Sequence, residues 1–178
     1  MKYLSAFLLF VLFTSCIPVK IAPHIKEDKV VKARKFKKGR SNDYAFVFKD
    51  TKDAGAFYDY INTKFERDNE QVDSNVPFLI NKKPYFFSFS EIEKTTKTIN
   101  LLPFFIDAAL DNKDMDPMFE DSYTSHFGNW YILIQVYDIY DRDCLHPEYP
   151  DRIGIVHYLK ALRIEYLNTQ NYNEVPLK

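Results

Sequence analysis

Glycine is scarce in this chain, at 4 of 178 residues, and cysteine scarcer, with only Cys16 and Cys144. The glycine-rich loops that cradle phosphates are absent, and no serine is framed as G-x-S-x-G. C-x-x-C and H-E-x-x-H, the patterns of thiol redox pairs and zinc peptidases, are absent too. The longest apolar run, Leu4 to Phe13, falls short of the roughly 20 residues a membrane-spanning helix needs. No internal repeat or low-complexity segment occurs. These absences remove the common signatures of nucleotide-binding, thiol-redox, zinc-peptidase and serine-hydrolase chemistry.

What is present is ordinary in bulk and uneven in layout. At 46% hydrophobic and 28% charged, the composition is that of a globular protein, and the length suits one domain with a sizeable core. Phe, with 16, and Tyr, with 13, are abundant. An AT-rich genome accounts for this richness through its codons. A sugar- or peptide-binding module would instead need several of Tyr58, Tyr60, Trp130, Tyr137, Tyr140 and Tyr149 together on an open surface.

The first sixteen residues carry the most specific pattern. Lys2 gives a positive start, Leu4 to Phe13 an apolar stretch, and Thr14-Ser15 small polar residues before Cys16. That is the layout of an export signal peptide. Phe13-Thr14-Ser15-Cys16 resembles a bacterial lipobox, with Phe13 where an aliphatic residue is usual. The whole chain resembles the small uncharacterised lipoproteins of Gram-negative cell envelopes. The resemblance implies cleavage before Cys16, diacylglycerol on its sulfur and a further acyl chain, such as palmitate, on the new amine. Several chains make such an anchor effectively permanent, since each buried methylene adds about 0.8 kcal/mol. Ile17 follows the cysteine, where Asp would imply retention at the inner membrane, and no acidic cluster comes after it. The implied location is the outer membrane, facing the periplasm. With Cys16 carrying lipid, Cys144 has no partner within the chain, and a small buried role suits it.

Charge divides along the chain. Residues 1–42 hold ten Lys or Arg and two acids, for +8, whereas residues 43–178 carry −9. Residues 16–42 read as a lipidated cysteine followed by a basic tether, with room for a short strand near Lys29–Phe36. Beside a lipid anchor such a tether attracts anionic headgroups. A nucleic-acid arm has the same composition, but the export signal argues against it, so the expected partners are the membrane and an envelope protein or ligand.

Residues 43–170 read as one α+β domain, and 171–178 as a tail. The spacing predicts a strand at Tyr44–Phe48 and a helix over Lys52–Arg67 capped by Asp50 or Thr51. It also predicts a hairpin pairing Val76–Ile80 with Tyr85–Phe89. A short helix is expected near Leu101–Leu110, and a strand at Asn129–Asp138 with apolar residues on both faces. A second main helix spans Asp151–Asn168. The expected fold is a mostly antiparallel sheet of about four strands with two main helices packed on it.

Two acidic clusters invite chemistry. Asp107, Asp111, Asp114, Asp116, Glu120 and Asp121 lack the glycine and the spacing of a calcium loop. Asp138, Asp141, Asp143 and His146 follow the central strand. Oxygen and imidazole ligands there could hold a divalent metal, or two carboxylates could serve as acid and base. The bland alternative is turn-forming aspartates that cap backbone amides. Cys144 with His146 or His157 makes a conceivable thiol–imidazole pair. No cofactor is implied. The leading expectation is a non-enzymatic envelope module, and the alternative is a small periplasmic hydrolase or metal-dependent enzyme built on Asp138, Asp141, Asp143 and His146.

Overall fold

The structure, a computed structural model, describes residues 16–100 and 124–170. It is α+β and antiparallel, with strands β1 (Cys16–Lys20), β2 (Asp28–Lys32), β3 (Tyr44–Asp50), β4 (Val76–Ile80), β5 (Lys83–Asn100) and β6 (Thr124–Tyr137). The helices are α1 (Ala33–Phe36), α2 (Ala56–Lys64) and α3 (Arg152–Asn168). Strand order is β1-β5-β6-β3-β2, with β4 also on β5. The chain divides into two units, 1–23 with 94–129 and 24–93 with 130–178. In the first, β1 pairs antiparallel with the end of β5, Cys16 opposite Asn100, with a register shift between Pro18 and Lys20.

In the second unit, β3 and β6 are buried on both faces. Phe46, Phe48, Ile132, Ile134 and Val136 enter a core shared with α2 and α3. Ala45, Val47, Tyr131 and Leu133 enter a smaller core with Ala33 and Phe36 of α1. This is the burial that two-faced apolar strands predict. The hairpin forms with a two-residue turn, Asn81 and Lys82 both at positive φ, 50° and 67°. Tyr85, Phe87 and Phe89 share the main core face as period-two alternation requires. Pro77 lies near the start of β4, which is paired on one side by β5 among the described residues, and Pro84 lies just after the turn, opposite Leu79.

Four expectations change. The sheet has six strands rather than about four. The two extra ones, β1 and β2, are five residues each and lie in the basic segment, β2 where the sequence left room for a short strand near Lys29–Phe36. Residues 16–42, expected as a tether, therefore hold two strands and a short helix. β5 runs through the polar stretch 91–98 as one 18-residue strand, its order coming from neighbours rather than side-chain pattern. α2 starts at Ala56, after Gly55 at φ 84°, and not at Asp50 or Thr51. Asp50 is instead buried, its carboxylate accepting from Tyr166 Oη at 2.9 Å and Lys52 N at 3.0 Å. Lys52 Nζ donates to Tyr166 O in the last turn of α3 at 2.6 Å and to Thr169 O at its C-cap, a favourable place for a cation. Burial raises the Asp50 carboxyl and lowers the Lys52 ammonium. The helix expected at Leu101–Leu110, the acidic run from Asp107 to Asp121 and the 171–178 tail lie outside the described residues.

Candidate functional site

The segment joining β6 to α3 holds the cluster Asp138, Asp141, Asp143 and His146. Asp138 directly follows β6 and is buried at 6% exposure. Its Oδ1 accepts from the Tyr140 amide at 2.9 Å and the Arg142 amide at 3.1 Å. Its Oδ2 accepts from Arg142 Nε at 2.7 Å and Tyr149 Oη at 3.0 Å. Burial pushes this carboxyl up, but the Arg142 side chain and the Arg142 and Tyr140 amides outweigh it, leaving it lowered to about 2. The tight turn puts Asp141 at φ 57°, a conformation aspartate tolerates better than most residues. Asp143 accepts from the Leu145 amide at 2.9 Å through Oδ1 and the Tyr44 amide at 2.8 Å through Oδ2. Its carboxylate thereby ties the segment to β3.

A cleft of about 240 Å³ lies over this segment, lined by Lys83, Tyr85, Asp138, Tyr140, Arg142, Tyr149 and Asp151 among others. Asp151 occupies the N-cap of α3 without capping it. Its Oδ2 accepts from Lys83 Nζ at 2.9 Å and Tyr85 Oη at 2.8 Å, and those two bonds lower its carboxyl. Burial, with Asp151 adding to it, pushes Tyr85 up to about 12. The cleft wall is thus two phenol–carboxylate–cation sets, Tyr85–Asp151–Lys83 and Tyr149–Asp138–Arg142. The Arg142 guanidinium lies 5.2 Å from the Tyr140 ring centre and 5.6 Å from that of Tyr149.

The alternative chemistry would draw on free acids here, and two of the three aspartates are engaged. Asp138 and Asp143 spend their oxygens on amides, Arg142 and Tyr149, and Asp141 is exposed on the turn. His146 is exposed, its Nδ1 accepting from the Glu148 amide at 3.4 Å and its ring edge-on to Tyr44 at 5.5 Å. Among the described residues, no three His, Cys, Asp or Glu side chains are grouped to hold a metal ion. The turn-forming reading of these aspartates is the one their bonds fit. Cys144 is fully buried, its Sγ donating to Arg142 O at 3.3 Å. Burial pushes its thiol up to about 11. The pair with His157 does not form either, as His157 is exposed on α3. Cys144 in the Cys16→Ala chain is expected to react with a thiol reagent at pH 8 about a hundredfold more slowly when folded than in denaturant. Equal rates would contradict its burial.

The six aromatics do not make a platform. Tyr60 is fully buried, and its Oη donates to Glu165 Oε1 at 3.0 Å. Tyr137 is half-buried, donating to Asp43 Oδ2 at 3.2 Å. Trp130 and Tyr58 sit elsewhere on the second unit, and of the six only Tyr140 and Tyr149 line the cleft. Sequence reasoning missed Lys83, Tyr85 and Asp151. The alternation that puts Tyr85 beside Phe87 and Phe89 carried the signal for one of them.

A second concavity, about 540 Å³ and mostly apolar, runs between the β4–β5 hairpin and α3. Phe78 and Tyr158 stack in its wall at 4.5 Å, and Leu79 stands 67% exposed on it. Lys64, at its margin, is held by Glu165 Oε1 at 2.7 Å. Among the described residues, no helix is long and apolar enough to cross a membrane. No protein-family model matches the chain, and no curated protein or solved structure shows significant similarity to it.

Proposed function

We propose that this chain is a lipid-anchored protein of the bacterial cell envelope, held at the outer membrane and facing the periplasm. Its folded body acts as a non-enzymatic binding or structural module. The observation that carries the anchor is the pattern of Lys2, the apolar stretch Leu4–Phe13 and Thr14-Ser15-Cys16. Support for a module without chemistry comes from the β6–α3 segment, where the acids best placed to act as ligands or bases are spent on fixing backbone and ring positions. A general base needs a free lone pair within reach of a proton, and Asp138 has all its contacts taken up by the protein itself.

The test is the fate of Cys16. In a Gram-negative host the protein is expected in the membrane fraction, with a mature mass that starts at Cys16 and carries diacylglycerol and a third acyl chain. Cys16→Ala is expected to abolish the lipid mass and the processing before position 16. A mature native protein without lipid mass, recovered from the soluble fraction, would overturn the anchor.

A further inference from the structure

Arg34, Lys35, Lys37, Lys38 and Arg40 fall within seven residues of sequence. They do not hang on a free tether. Ala33 is fully buried and Phe36 nearly so, with the Phe36 ring edge-on to Tyr131 at 5.2 Å. Ala33 N donates to Asp43 O at 2.9 Å and Arg34 N to Ser41 O at 3.1 Å, closing the segment into a knuckle on the sheet. Gly39, at φ 86°, supplies the left-handed residue that lets the chain return. Arg34, Lys35, Lys37 and Lys38 project outward as exposed side chains.

Among the described residues, none of these five cations is in an ion pair. The acids nearest in sequence are engaged elsewhere. Asp28 lies 3.7 Å from both Arg163 Nε and Lys160 Nζ, and Glu27 lies 3.6 Å from Arg163. Asp43 accepts from Tyr137. Lysines on an edge strand block unwanted pairing, and that accounts for Lys29 and Lys32 of β2. It does not account for five like charges on a closed turn, whose mutual repulsion works against folding.

We propose that this knuckle is a docking surface for anionic phospholipid headgroups. A buried base orders the cations before contact, so binding loses less conformational entropy than a flexible arm would. Each Lys or Arg at an anionic membrane surface raises partitioning by roughly fivefold. The choice of lipid over nucleic acid rests on the anchor reading above. Lys29 is thirteen residue steps from Cys16, so a lipidated Cys16 would hold β2 within about 45 Å of the bilayer.

The test uses the full-length chain with Cys16→Ala, which cannot be lipidated, so it is separate from the fate of native Cys16. Vesicles of phosphatidylcholine alone are compared with vesicles in which a third of the lipid is phosphatidylglycerol. The anionic vesicles are expected to bind more tightly, and the excess to fade with added salt. Combining Lys35→Gln, Lys37→Gln and Lys38→Gln is expected to lower the anionic partitioning about a hundredfold without lowering the melting temperature. Arg34→Gln with Lys38→Gln reads the same surface should the triple variant fail to fold. Equal binding to both vesicles, variants that partition like the parent, or tighter binding to a single-stranded oligonucleotide at the same salt would each overturn the proposal.

Discussion

Replacing Phe57 by alanine is expected to remove about 3–5 kcal/mol of folding stability, the largest loss from any single substitution considered. Phe57 is fully buried on α2. Its ring meets Phe89 of β5 at 4.8 Å and 90°, Tyr166 of α3 at 4.9 Å and 87°, Phe48 of β3 at 5.8 Å and Tyr60 at 5.9 Å. One side chain thus joins both main helices to two strands. Edge-to-face pairs contribute beyond the area they bury, by about 0.5–1.5 kcal/mol each. Alanine would leave a cavity walled by the rings of Phe48, Tyr60, Phe89 and Tyr166, with little freedom to collapse. Domains of this size are stable by only about 5–15 kcal/mol. Phe57→Ala should therefore unfold at a much lower urea midpoint, and Phe57→Leu should fall between it and the parent. A loss under about 1 kcal/mol would show that the ring is not the common contact of the four elements.

How far this core could be read from sequence varied with element. α3 and the hairpin were legible because their apolar residues recur at one clean period. Of the stripe on that helix, Ile155, Leu159, Leu162 and Tyr166 are buried and Tyr158 is half-buried against the same core. β6 was legible as central because both its faces are apolar. The start of α2 was not legible, because Asp50 looks like a helix cap in sequence and its true partner, Tyr166, lies 116 positions away. The short strand with room near Lys29–Phe36 is β2 in its first half, whereas the second half is α1, hidden by basic residues that face water while Ala33 and Phe36 enter the core. The cluster was located, and the turn-forming reading of its aspartates fits their bonds, but the partners of those bonds were not legible. Sequence proximity gathered Asp138, Asp141, Asp143 and His146. Their bonds depend on Tyr44 and on the fold of the turn, and no spacing rule encodes that. Lys83 and Tyr85 reach Asp151 from the hairpin, across 68 and 66 positions.

Asp138→Ala is the second substitution with a large expected effect, about 2–4 kcal/mol of lost stability. It removes the shared acceptor for the Tyr140 and Arg142 amides, Arg142 Nε and Tyr149 Oη. Tyr149 would keep a half-buried hydroxyl with its carboxylate partner gone, and the turn would lose what fixes Tyr140 and Arg142 over the cleft. The pH dependence identifies the carboxylate as the cause. Asp138 is lowered from 3.8 to about 2 in the folded protein. A depressed carboxylate contributes stability that is fully present above its unfolded value and is lost as pH falls through the folded one. The gap between parent and Asp138→Ala should therefore be constant from neutral pH down to about 5, then narrow between about 4 and 2. Asp151, also lowered, and Asp50, raised, titrate in both proteins and cancel in the difference. A gap that stays constant through this window would show that Asp138 acts through packing alone. A gap that widens toward acid would reverse the sign required of a carboxylate held by Arg142 and two amides. The expected narrowing would identify the acid that sequence reasoning offered for catalysis as the clamp that sets the shape of the turn.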